Sequence, residues 1–177
     1  MTSQTRSTVP TPFFSPLQNV LPEWVDENGH MNIAPYLSVF DHAFYEVYAY
    51  WGMDFDKVQE RGYSTFVAES HITYQSELLL GDPFTIETRL MGFDEKRIHW
   101  FQYMRKADGK IAASCELLNL FIDVRLRRVV AMPPLYSDRL GGILSAHKQL
   151  AEPAEIGRSL SLSGPRILAK NKIIASS

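Results

Sequence analysis

The residues best placed to do chemistry lie in one short stretch, Trp24-Val25-Asp26-Glu27-Asn28-Gly29-His30-Met31-Asn32-Ile33-Ala34-Pro35-Tyr36. An acid ends an extended segment, a turn-forming Asp-Glu-Asn-Gly loop follows, and a helix then starts. Helix starts present unpaired backbone N–H groups and the positive end of the helix dipole, so they stabilise developing negative charge. A carbonyl resting on those amides is polarised, and Asp26 beside it can attack it or activate a water. Asp26 also suits a turn for its local hydrogen bonds, and taken alone that is the commoner use of an Asp at such a position. His30 is expected to brace the loop or touch substrate, and Asn32 to cap the helix.

Other chemistry-bearing residues lie farther along the chain. Glu69 and His71 sit two apart on one face of an alternating strand, with Val67 and Thr73. A buried Glu-His pair perturbs both protonation equilibria, which fits either a direct catalytic part or a satisfied core pair. Glu116 falls in an apolar strand and needs a partner there. Seven aromatic residues lie between Tyr36 and Trp51. Most must be core, while Tyr45, Tyr48, Trp51 or Trp100 are candidates for a cage around a quaternary ammonium group. Lys96, Arg97, Arg105, Arg125, Arg127 and Arg128 cluster near turns, either as a solvated rim or as a grip for phosphates. The spacings of His30, His42 and His71 match no ligand motif, so no metal is expected.

These groups need elements to position them. Leu37, Phe40, Phe44, Val47, Tyr48 and Trp51 recur at helical spacing, which predicts one helix over 34–51, apolar over most of its surface and buried on several sides. Pro35 suits its first turn, and Gly52 follows its last periodic residue. Alternating segments then predict antiparallel strands over 66–74, 84–90, 98–105, 111–124 and 128–131. The turn signals between them are Gly81-Asp82-Pro83, Gly92 to Lys96 and the Asp108-Gly109 pair. The segment 111–124 is apolar enough to be buried on both faces, and 135–150 reads as a polar-faced helix. The fold class is α+β: an antiparallel sheet wrapped around one long buried helix. Residues 1–16 read as a flexible leader, 17–150 as one domain and 151–177 as a tail. A sheet curled round one helix leaves an edge wanting a partner, so a homodimer or tetramer is expected.

The 177 residues make one ordinary domain, with 45% hydrophobic and 21% charged residues. A formal charge of -2 offers no dominant basic field, which argues against nucleic acid as a partner. Cys115 is the single cysteine and the chain has neither a signal-like nor a membrane-length apolar run, so a cytoplasmic protein off the membrane is expected.

The pattern Asp26-x-x-Gly29-His30-x-Asn32, with Tyr36 six residues after the His, resembles the 4-hydroxybenzoyl-CoA thioesterase branch of the hotdog superfamily. The resemblance runs from about Val20 to Met132 and includes Gly81-Asp82 and Phe121-Ile122-Asp123. It implies a hotdog fold and acyl-CoA thioesterase activity, with Asp26 as the catalytic carboxylate and the Ile33 backbone amide as the thioester-oxygen donor. Pro22 to Asp26, Asn28 to Asn32, Glu69-x-His71 and Asp94-Glu95-Lys96-Arg97-x-His99 further resemble thioesterases of carnitine degradation, which cleave betainyl-CoA. Those proteins tend to carry an acid where this chain has Ile33, and they differ at Glu116-Leu117-Leu118 and Phe121. The expected machinery is therefore Asp26, the Ile33 amide, Glu69 and His71, with His30, Asn32, Tyr36 and Trp51 on substrate and Lys96, Arg97 and Arg127 on the phosphates of coenzyme A. No cofactor is expected beyond the coenzyme A of the substrate. The rival readings are a hotdog enoyl-CoA hydratase, for which the paired Asp-His segment is missing, and a non-catalytic acyl-CoA-binding module.

Overall fold

The computed structural model describes residues 8–160 and 166–167. Its elements in chain order are β1 (Phe13–Phe14), β2 (Gln18–Asn19), α1 (Ile33–His42), α2 (Phe44–Trp51), α3 (Val58–Arg61), β3 (Tyr63–Tyr74), β4 (Pro83–Phe93), β5 (Arg97–Lys106), β6 (Ile111–Asp123), β7 (Arg128–Val129), α4 (Pro134–His147), β8 (Arg158–Ser159) and β9 (Arg166–Ile167). The main sheet is antiparallel, ordered β1-β4-β5-β6-β3, with β2 also on β4 and β7 on β6.

Alternation along the strands separates the two faces of the sheet. Ile86, Leu90, Ile98, Trp100, Met104, Leu117 and Phe121 turn toward α1 and α2, and all are buried. The opposite face carries Glu87, Phe101, Tyr103, Ser114 and Glu116. One expected grouping changes here. The register of β3 on β6 shifts between Val67 and Glu69, so Val67 pairs with Asn119 on the helix side while Glu69 and His71 pair with Leu118 and Glu116 on the outer side. A bulge of one residue reverses the alternation, and the spacing of residue types alone does not reveal it.

The predicted single helix is two, α1 and α2, parted at Ala43. Gln102, fully buried on β5, donates from Nε2 to the Phe40 carbonyl at 3.0 Å, taking the acceptor that Phe44 would use in an unbroken helix. Ala43 keeps right-handed helical angles and its N–H still reaches the Val39 carbonyl at 3.1 Å, so the chain runs on in nearly one direction. The helical layer is also less enclosed than its composition suggests, because Ile33, Leu37 and Tyr45 are exposed.

The described parts of both presumed ends, residues 8–16, 151–160 and 166–167, include segments packed onto the domain, and the rest of the expected leader and tail lies outside the described residues. Phe13 is buried and β1 pairs with β4, since prolines at 10, 12 and 16 are compatible with a short edge strand. After α4, residues 151–158 fold back over the outer sheet face. There the Ala151 carbonyl accepts from Arg89 at 2.7 Å, Glu155 accepts from the Tyr103 hydroxyl, and the Gly157 N–H donates to Glu116 at 2.7 Å.

His147 at the end of α4 ties three segments together. The Leu90 N–H donates to its Nδ1 at 2.8 Å, so Nε2 carries the proton and donates to the Pro10 carbonyl at 2.9 Å. Burial holds its pKa below the ordinary 6.5, with the Pro10 contact opposing. The native state thus binds this proton less readily than the unfolded chain. Its contribution is complete above about pH 6.5 and declines as pH falls toward the depressed native value. His147→Leu strands two polar groups and is expected to cost about 2 kcal/mol in urea unfolding, with a weaker dependence on acid than the native chain shows.

Candidate functional site

The loop before α1 is a tight hairpin. The Asp26 N–H donates to the His30 carbonyl at 3.1 Å, and the Gly29 N–H donates to the Asp26 carbonyl at 3.0 Å. Gly29 has φ +82, the left-handed conformation that lets the three-residue turn close. This geometry holds the Asp26 side chain inward, with only 14% of it exposed. Its Oδ1 accepts from the Asn28 N–H at 2.9 Å, and its Oδ2 faces Asn32 Nδ2 at 3.4 Å.

Asn32 does two things at once. Its Oδ1 accepts from the Ala34 N–H at 3.4 Å, capping α1, while its amide nitrogen reaches the Asp26 carboxylate. The carboxylate and the first turn of α1 are therefore tethered through one side chain. Ile33 opens that turn, so its N–H has no acceptor within the helix. The Ile33 side chain is 69% exposed, which leaves the approach to this amide uncovered in the single chain. His30 Nδ1 lies 3.3 Å from the Met31 carbonyl and 4.0 Å from Asp26 Oδ1.

A cavity of about 310 Å³ opens against this corner, lined by His30, Ile33 and Tyr36 on one side and by Tyr74, Ser76 and Glu77 at the end of β3 on the other. Tyr36 and Tyr74 meet edge to face at 5.1 Å. Of the expected site, His30, Ile33 and Tyr36 line this cavity, while Asp26 and Asn32 are held to the same loop and helix start without being among its lining residues. Tyr74 and Glu77 were not singled out from the sequence. No sequence signal pointed to Tyr74, because it falls on the helix side only through the bulge, which the register on β6 creates.

Trp51 does not join them. It is fully buried and its indole N–H donates to the Tyr136 carbonyl at 2.9 Å, so it is a core residue. The other cage candidates are likewise elsewhere. Tyr48 is buried against Thr65 and Asn119, its phenol pushed up to about 12 by burial; Trp100 is fully buried, and Tyr45 stacks on His42 and Phe55.

Glu69 and His71 lie on the sheet face opposite Asp26, as the bulge dictates. Glu69 is exposed rather than buried, and the hydrogen-bonded pair there is His99–Glu116, at 2.8 Å. With His71 and Arg158 these residues line a second cavity of about 370 Å³. Burial would raise the Glu116 carboxyl, but His99, the Gly157 amide and His71 hold it below the usual range. Glu116→Ala should therefore loosen the C-terminal segment. Hydrogen exchange at Gly157 is expected to quicken at least tenfold, with the rates in β4 and β5 unchanged.

Lys96 and Arg97 occupy the β4–β5 turn and Arg127 the β6–β7 turn, all exposed. Arg97 is bound to Asp94, which it holds at about 2, and Lys96 Nζ lies 3.3 Å from Glu95. These turns are at the far end of the strands from Tyr74, which shares its level of the sheet with Ala113 and Met104. Seven residues of β5 separate Arg97 from Met104, about 23 Å of strand. Within one chain they do not reach the cavity. Among the described residues, no group of three or more His, Cys, Asp or Glu is arranged to hold a metal, and no helix is long and apolar enough to cross a membrane.

Known proteins resemble this chain in sequence and fold. A family profile described as Thioesterase-like superfamily matches residues 20–140. The betainyl-CoA thioesterase of Pseudomonas aeruginosa is 32% identical over 161 residues, covering 90% of this chain and 97% of that protein. An Agrobacterium fabrum protein named L-carnitine dehydrogenase/betainyl-CoA thioesterase is 38% identical over 111 residues, 63% of this chain, a stretch that spans only 23% of that longer protein. Among solved structures, a Staphylococcus aureus protein in complex with CoA superposes with a TM-score of 0.80 at 28% identity, covering 89% of this chain and 99% of that one.

Proposed function

Since the chain belongs to the thioesterase-like superfamily, we propose that it hydrolyses the thioester of a small acyl-CoA to the free acid and coenzyme A. The observation that carries this is the tether through Asn32, which ties the Asp26 carboxylate to the first turn of α1, where Ile33 lines the cavity. The Ile33 N–H, backed by the α1 dipole, receives the oxygen of the tetrahedral intermediate. Asp26 either adds to the carbonyl carbon, giving an anhydride that water opens, or takes a proton from the attacking water. In both routes the C–S bond breaks and the thiolate of coenzyme A leaves. One turnover in ¹⁸O-labelled water separates them, because only the anhydride route can leave label in Asp26.

The two relatives named for betainyl-CoA support that ester as a substrate, and the CoA complex of the Staphylococcus aureus protein supports a CoA carrier. A thiol-release assay over betainyl, short, medium and aromatic CoA esters tests the proposal. Release from at least one is expected; tight binding of every ester without release would overturn it.

We also infer a homodimer joined along β3. This strand ends the sheet with Phe66, Val67 and Tyr74 about half exposed, an edge that invites a second strand. Antiparallel pairing of two such edges would set the Tyr74 end of one copy beside the Tyr63 end of the other, where the turns bearing Lys96, Arg97 and Arg127 lie. The phosphate grip and the cavity would then come from different copies. Light scattering should return twice the 20.2 kDa of one chain, and a monomer would remove this arrangement. Cys115, buried and with its thiol pushed up to about 12 by burial, is compatible with the reducing cytoplasm.

A further inference from the structure

The cavity beside Asp26 has opposite polarity on its two walls. The α1 wall ends in the unpaired Ile33 amide and the positive pole of the helix. The β3 wall carries the Glu77 carboxylate and the Tyr74 ring, and neither lysine nor arginine is among the residues lining the cavity. Tyr36 joins the walls, one turn from Ile33 on the same helix and in ring contact with Tyr74 at 5.1 Å. We propose that Glu77, with the rings of Tyr36 and Tyr74, is the subsite that selects a cationic acyl group.

This rests on the thioesterase reading above and adds the residues that set its specificity. An acyl group with an ammonium one carbon from its carbonyl is itself a short dipole. Its oxygen belongs at the helix pole and its cation at the acidic, aromatic wall. A carboxylate supplies charge attraction, and ring faces supply the cation–π attraction that a methylated ammonium, having no N–H to donate, can still use.

The surroundings are consistent with a free acidic charge. Lys106 Nζ approaches this wall, but it is committed to Asp82 at 3.1 Å and to the backbone carbonyl of Glu77 at 2.9 Å. The Tyr36 phenol is raised first by burial, and the Tyr74 and Glu77 charges add to the rise against a bond from the Leu78 backbone. Glu77 and Tyr36 line the same cavity.

The test compares kcat/KM for betainyl-CoA with that for 3,3-dimethylbutyryl-CoA, which has the same shape with carbon in place of the charged nitrogen. Reading the ratio of the two esters in each variant against the ratio in the unaltered protein cancels their intrinsic reactivities. Glu77→Gln and Tyr74→Ala are each expected to lower the ratio about tenfold, with Tyr74→Phe near the native value. Equal losses on both esters in Glu77→Gln, or an unchanged ratio, would overturn the subsite while leaving the thioesterase intact. Failure of the unaltered protein to release thiol from either ester, or from the rest of the acyl panel, would remove the thioesterase reading and this subsite with it.

Discussion

Asp26→Asn is expected to fold as the native chain does and to release thiol about 10²–10⁴-fold more slowly, the range for loss of a positioned acid–base group. The fold should survive because the amide oxygen can still accept from the Asn28 N–H, and the hairpin is closed by backbone bonds from Asp26 and Gly29. What disappears is the negative charge and the capacity to take a proton or form an anhydride. Asn32 would then face a neutral amide instead of a carboxylate, a change confined to one 3.4 Å contact. Single-turnover thiol release, with thermal unfolding measured alongside, checks both halves. Turnover within a fewfold of native by a correctly folded variant would take Asp26 out of the mechanism.

The largest effect on stability is expected from Glu87→Ala, about 3 kcal/mol in urea unfolding. Glu87 lies in β4 on the outer sheet face with 2% exposure, and its carboxylate accepts from both Arg89 Nε and Arg105 Nε. The two guanidiniums also approach the Tyr103 ring, at 5.7 and 5.0 Å. Removing the carboxylate leaves two like charges without the group that bonds them both. The estimate sits at the low end of the range for a broken buried pair because Arg105 is 30% exposed and water can reach it. Glu87→Ala with Arg89→Leu should recover part of the loss, since one of the stranded charges goes too. A single-variant cost under about 0.5 kcal/mol would mean that the arginines are effectively solvated.

The strand order and the helix position were legible because alternation and helical spacing are local signals repeated over many residues. The Asp26 loop was legible for a different reason: Gly29, Asn32 and Pro35 each have a specific backbone use close to their neighbours in sequence. Missed features depend on contacts between distant residues. Nothing near Val67 announces the bulge that sends Glu69 and His71 outward, because it arises from the register on β6. Trp51 looked available for substrate until Tyr136 from α4 closed over it. Glu116 was seen to need a partner, but that His99 and Gly157 supply it depends on strand pairing and on the return of the chain after α4.

Gln102 marks the joint between the two halves of the central helix. By occupying the Phe40 carbonyl it works as an index pin between the sheet and the rod above it, with Thr88 Oγ1 steadying the pin at 3.1 Å. The half that begins at Ile33 and the half that carries Trp51 therefore meet at a joint held from the sheet. Alterations at positions 88 and 102 would act on that joint while Asp26, Asn32 and Ile33 stay unaltered.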